Sequence, residues 1–163
     1  FKQKTAYEIG VRLVGSEMCI RDRAWGLAKQ GAAVRVCARR MDQARSVSRA
    51  VGAEAGEMPP AAESWDLLVN TTPVGTYPKG EESPVPDGAL SNGLVYDLVY
   101  NPEITRLLAQ ASDAGCDTIG GLEMLVAQAR EQFAWWTGVE APDRVFNEAA
   151  KFELLRQEKT GEG

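Results

Sequence analysis

From residue 24 onward the chain alternates short apolar runs with stretches in which apolar residues recur every three or four positions, the signatures of strands and amphipathic helices. Residues 24–31 (AWGLAKQG) place Trp25, Leu27 and Ala28 at helical spacing and stop at Gly31, a residue type that closes helices. In AAVRVCARR, Val34 and Val36 alternate with polar neighbours, which predicts a strand ending in Arg39 and Arg40. Residues 42–51 carry a helical pattern with an acid in the first turn and Gly52 behind it, and MPPAAES reads as a loop broken by Pro59 and Pro60. WDLLVN (65–70) is a nearly continuous apolar run, as expected of a parallel strand covered on both faces, and a long turn-rich loop follows it.

The second half repeats the alternation. GLVYDL (93–98) is a strand, residues 102–114 are a helix with Ile104, Leu107, Leu108 and Ala111 on one face, and CDTIGG is a short strand entering a Gly-Gly turn. Residues 122–136 (LEMLVAQAREQFAWW) are apolar enough to predict a largely buried helix. A last helix, 142–157, carries Val145, Phe146, Ala149, Phe152 and Leu155 in a stripe that is expected to be exposed and sticky, and 158–163 is a polar, frayed tail. Strands alternating with helices define an α/β chain built on a parallel sheet.

Residues 1–22 show neither period. Two pieces of this segment, KQKTAYEI (2–9) and GSEMCIRD (15–22), resemble conceptual translations of the oligonucleotide adapters used to build sequencing libraries. The segment is therefore read as non-native and set apart from the fold.

Composition narrows the function. A 163-residue chain with 44% hydrophobic side chains can bury a sizeable core, and a net charge of −5 disfavours a nucleic-acid partner, whose phosphates repel it. No apolar run approaches the roughly 18 residues that span a bilayer, so the reading is a cytoplasmic chain with no membrane partner. Cys19, Cys37 and Cys116 have no metal-ligand spacing and read as small buried hydrophobes. The absence of histidine rules out a Ser-His-Asp or Cys-His nucleophile within these residues, and no metal site is expected.

Candidate chemistry collects where a parallel sheet of this kind binds ligands, outside the carboxyl ends of its strands. Arg39 and Arg40 stand where an NAD enzyme would place an acid for the ribose hydroxyls; guanidiniums suit the additional 2′-phosphate of NADP. Taken alone, the pair is a solvated charge run, and only its place in the fold favours the phosphate. Asn70, Thr71 and Thr72, followed by Pro73, Val74 and Gly75, put short side chains beside a ring or ribose. Gly120 and Gly121 open a helix whose free N–H groups favour polar or anionic ligands. Gln128, two turns on, either faces solvent or offers its amide to a hydroxylated substrate.

The strings VNTTPVG, YDLVYNP and IGGLEMLVAQAREQF, in this order and spacing, resemble the shikimate dehydrogenase family, and the likeness covers roughly residues 24–155. That resemblance implies a Rossmann-like, doubly wound domain, incomplete at its first strand and glycine loop. It also implies reduction of 3-dehydroshikimate with NADPH in chorismate and aromatic amino acid biosynthesis. It makes Arg39 the first arginine of the family's Asn-Arg-Thr-x-x-Arg motif for the 2′-phosphate. Ala38, Arg40 and Gln43 replace the other motif residues, and Arg40 is expected to compensate. It makes Leu98 a nicotinamide-side contact, Tyr100 a substrate contact, Gly121 a backbone contact to the cofactor and Gln128 a hydrogen-bond partner of shikimate.

In the family the catalytic Lys and Asp, a Ser-x-Ser clamp and the glycine loop lie upstream of the stretch matched here. No catalytic residue is therefore expected in this chain, which alone should be inactive. The implied organisation is an NADP-binding domain over 23–140 and a helix over 141–157 that packs toward a substrate domain, with a homodimer left open. The alternatives are a quinate- or NAD-using paralogue and a non-catalytic nucleotide-binding module.

Overall fold

The structure, a computed structural model, describes residues 17–59 and 65–160. In chain order it has helix α1 (Glu17–Lys29), strand β1 (Arg35–Cys37), α2 (Met41–Val51), β2 (Glu54–Gly56), β3 (Leu67–Asn70), β4 (Leu94–Asp97), α3 (Arg106–Asp113), β5 (Asp117–Ile119), α4 (Gly121–Thr137) and α5 (Asp143–Thr160). Every strand pair is parallel: β1 lies beside β2, and β4 lies between β3 and β5. The doubly wound strand order places one more strand, the first of the fold, between the counterparts of β1 and β3. Among the described residues both of those edges are unpaired. The expected class is therefore present, with the sheet in two parts.

Each part has its own apolar cluster. Around β1, Val36 packs with Ala24 of α1 and with Ala44 and Val47 of α2. Helix α2 turns Ala44, Val47 and Ser48 inward, three and four residues apart, and Gly52 ends it in the left-handed conformation at φ 71°. The buried Ser48 hydroxyl donates to Glu54 O at 2.8 Å, which ties the helix to β2. Around β4, Val95 packs with Val85, Leu90, Leu107, Ala111 and Cys116. Thr105 caps α3 by accepting from Leu108 N at 3.2 Å, and the helix buries Leu107, Leu108 and Ala111. The two parts touch where Arg23 of α1 donates to Met124 Sδ of α4 at 3.0 Å.

Several expectations are corrected by the structure. Helix α1 begins at Glu17, seven residues before the helical pattern expected from residue 24; residues 1–16 lie outside the described part. β2 was not foreseen, since Glu-Ala-Gly has no strand propensity and is held by pairing with β1. β3 is half-buried rather than covered on both faces.

Ile104 is 73% exposed, since α3 starts only after Thr105 and leaves it outside the apolar stripe. Helix α4 buries only its first half through Gly121, Leu122 and Val126; beyond them Trp135 and Trp136 are about 60% exposed, because α5 is the main element packed there. In α5 Leu154 turns inward and Phe146 meets Phe133 edge-on at 5.7 Å, while Val145, Phe152 and Leu155 face out. The exposed stripe is thus real but narrower than expected. Cys116 is buried and Cys37 half-buried, whereas the Cys19 side chain lies outside the described part. Among the described residues no helix is long and apolar enough to cross a membrane.

Candidate functional site

The chemistry-bearing residues follow the carboxyl ends of the strands. After β1 the chain bends through Arg39 and Arg40 into α2. Arg39 is exposed, whereas Arg40 occupies the position before the helix and grips Asp42, with Nη2 2.6 Å from Oδ2 and Nε 3.3 Å from Oδ1. The Arg40 side-chain bond holds the Asp42 carboxyl below the usual carboxylate range. The α2 N-terminus thereby receives an acid from its own first turn.

After β3 the loop is pinned by Asn70, which is buried. Its Oδ1 accepts from Thr72 N at 3.0 Å and from the Thr72 hydroxyl at 2.7 Å, and its Nδ2 donates to Asp97 Oδ1 at 2.9 Å. Gly75 closes the turn at φ 93°, where a Cβ would also crowd Glu82 O at 3.2 Å.

After β4, Leu98 N donates to Asn70 O at 3.0 Å and so extends the β3–β4 ladder past the sheet. Asp97, fully buried, accepts from Val99 N at 3.1 Å and from the Thr105 hydroxyl at 2.6 Å. Burial pushes its carboxyl above the ordinary carboxylate range, against the opposing pull of the bonds from Thr105, Val99 and Asn70. Leu98 is half-buried and Tyr100 exposed, while the backbone of Asn101 accepts from Tyr77 N at 3.0 Å and joins the two long loops.

After β5, Gly120 precedes α4 and Gly121 begins it. A Cβ at Gly121 would lie 2.5 Å from both Leu98 O and Val99 O, so the helix end rests directly on the backbone just after β4. The absence of a side chain at 121 is thus explained by helix-to-strand packing. Gln128 lies half-buried two turns further along α4.

The structure therefore bonds Asn70, Thr72 and Leu98 to one another at the sheet's carboxyl edge, with Gly121 packed against the Leu98 and Val99 carbonyls. Arg39 and Arg40 end the other part of the sheet, and the described bonds of Arg40 go to Asp42. Asp97 and Thr105 were missed by sequence reasoning. Their signal was present: a lone carboxylate inside an apolar strand, and a Thr just ahead of an amphipathic helix. A shallow hollow of about 450 Å³ lies nearby, lined by Glu103, Ile104, Leu108, Thr118, Gly120 and Glu123 among others; its carboxylates repel a phosphate-bearing ligand.

A parallel sheet that gathers such loops at its carboxyl edge defines a Rossmann-like domain of the dinucleotide-binding class. Residues 121–151 match the family described as Shikimate 5'-dehydrogenase C-terminal domain, and a Shikimate dehydrogenase (NADP(+)) from Methanopyrus kandleri is 44% identical over 111 residues, 67% of this chain and 38% of that one. The chain is similar to the C-terminal part of shikimate dehydrogenases. The solved shikimate 5-dehydrogenase of Thermus thermophilus, in complex with NADP(H) and shikimate, agrees in fold with a TM-score of 0.77 at 31% identity, over 90% of this chain and 58% of that chain. Quinate dehydrogenase from Corynebacterium glutamicum, in complex with NAD, is also similar, with a TM-score of 0.70 at 27% identity over 83% of this chain and 52% of that one. The chain thus spans less than two thirds of the length of each of these relatives.

Proposed function

We propose that the chain is the nucleotide-binding part of an NADP-dependent shikimate dehydrogenase, whose reaction is the reduction of 3-dehydroshikimate to shikimate. The observation that carries this reading is the convergence at one sheet edge of the Asn70 loop and the Leu98–Tyr100 segment, joined by hydrogen bonds, with the α4 N-terminus packed against them. The residues fit the group: Arg39 presents an exposed guanidinium past β1, as the 2′-phosphate requires, and no acid stands at its position to select NAD.

Arg39 binds that phosphate, with Arg40 as a weaker partner because Asp42 competes for it. Asn70, Thr71 and Thr72 flank the ribose and nicotinamide, Leu98 covers the ring, and Gly121 offers its backbone. Tyr100 and Gln128 reach the substrate hydroxyls. NADPH, when bound, supplies the hydride; this chain's side chains supply position. The proton-transferring groups belong to the portion of the relatives that these residues do not match.

Residues 23–140 form the cofactor-binding unit and residues 1–22 are non-native. The helix over 141–157 covers the substrate domain, which accounts for the exposed Phe152 and Leu155.

Titration calorimetry of the chain with NADPH and NADH tests the reading. NADPH is expected to bind more tightly, and Arg39→Ala to lose roughly tenfold in NADPH affinity, as one charged phosphate contact implies, with NADH unchanged. The chain joined to the N-terminal part of a related shikimate dehydrogenase is expected to reduce NADP(+) in the presence of shikimate. Reduction of NAD(+) with quinate instead would establish the runner-up reading, which the likeness to the Corynebacterium enzyme keeps in view.

A further inference from the structure

The hydrogen bonds around Asp97 have determined directions. Every group bonded to its carboxylate is a donor: Asn70 Nδ2 and Val99 N to Oδ1, and the Thr105 hydroxyl to Oδ2. Thr105 Oγ1 already accepts from Leu108 N, which leaves its one proton for Asp97. Asn70 Oδ1 takes both the backbone N–H and the hydroxyl of Thr72, so its amide nitrogen must face Asp97. Thr72 Oγ1 in turn accepts from Val74 N at 3.3 Å. One chain of bonds thus runs from Val74 to Leu108 through Thr72, Asn70, Asp97 and Thr105, and a carboxylate is the only acidic group in it.

That carboxylate joins three backbone segments: the loop after β3, the segment after β4 and the cap of α3. The first two hold Thr71, Thr72, Leu98 and Tyr100, and Gly121 rests on the Leu98 and Val99 carbonyls. An ion that costs this much to bury is retained where its bonds specify one arrangement among several.

We propose that Asp97 is a positioning residue for nucleotide binding: its buried carboxylate sets the alignment of the Asn70 loop against the Leu98–Tyr100 segment, and through Val99 the seat of the α4 N-terminus. The inference rests on the nucleotide-binding reading above. It predicts that cofactor affinity follows the reach of the side chain at 97 rather than the overall stability of the chain.

The experiment measures NADPH affinity of the full 163-residue chain and its variants by calorimetry, at a temperature where circular dichroism shows each to be folded. Asp97→Ala is expected to bind at least tenfold more weakly than wild type. Asp97→Asn keeps one oxygen for Asn70 and Val99 and turns its amide to Thr105 Oγ1, and is expected to restore affinity to within threefold. Leu107→Ala, which truncates the same core away from the loops, is expected to leave affinity within twofold although it lowers stability.

If Asp97→Ala does not fold, Asp97→Glu replaces it. The charge is kept but the reach lengthened by one carbon, and a tenfold loss is expected where Asp97→Asn shows none. Equal affinity of wild type and Asp97→Ala, equal affinity of the Asn and Glu variants, or an equal loss in Leu107→Ala would overturn the positioning role. Wild-type chain that takes up no NADPH would overturn the nucleotide-binding reading and this inference with it.

Discussion

Replacing Gly121 with alanine places a carbon 2.5 Å from two backbone oxygens, Leu98 O and Val99 O, about 1 Å inside the 3.4 Å at which ordinary contact begins. Neither oxygen can yield cheaply. Leu98 N is bonded to Asn70 O and Val99 N to Asp97, so moving the β4 end breaks the network that holds it. The helix must therefore back away. Overpacking of this kind costs about 1–3 kcal/mol, and contact with backbone on both sides places Gly121→Ala at about 3 kcal/mol. For a chain of this length that lowers the melting temperature by roughly 10 °C.

The assay is thermal and urea unfolding followed by tryptophan fluorescence, with Gly26→Ala as the matched control. Gly26 lies inside α1 with nothing within 4 Å of a Cβ built on it. The same substitution there is expected to stabilise by about 0.5–1 kcal/mol, since alanine loses less backbone freedom. A Gly121→Ala chain that melts within about 2 °C of wild type would refute the packing argument, because that corresponds to less than 1 kcal/mol.

Three other outcomes are expected. Leu107→Ala, which opens a cavity at a side chain only 1% exposed, should lose about 2–5 kcal/mol in urea unfolding with an unchanged slope. Arg39→Ala should weaken NADPH but not NADH, as set out above. The third concerns pH. The folded pKa of Asp97 is raised above its ordinary value of 3.8, so the native state holds the proton more tightly than the unfolded chain does. Its ionisation therefore weighs against the fold at neutral pH, and stability relative to Asp97→Asn should rise as pH falls through the raised value, the gain being complete below 3.8. Denaturation curves at stepped pH check this, and a relative loss in that window would contradict the sign.

The alternation of strands and helices other than β2, and with it a parallel sheet and the loops that collect at its carboxyl edge, were legible in the residues alone, because period and punctuation are local properties. Gly52 closing α2 and the apolar runs of β3 and β4 needed no knowledge of neighbours. The strings around Asn70, Leu98 and Gly121 also carried the family likeness that the comparisons bear out.

Burial was decided only by the tertiary structure. β3 looks like a core strand in sequence, yet it is only half-buried, because what packs over a strand, and not its own composition, decides its burial. Trp135 is outside for the same reason. Asp97 is the converse case: a charge that composition would place at the surface is buried, because Asn70 at the end of another strand, with Val99 and Thr105 just downstream, converges on it to satisfy it. A residue's period reports which way it points; only the assembled chain determines what meets it there.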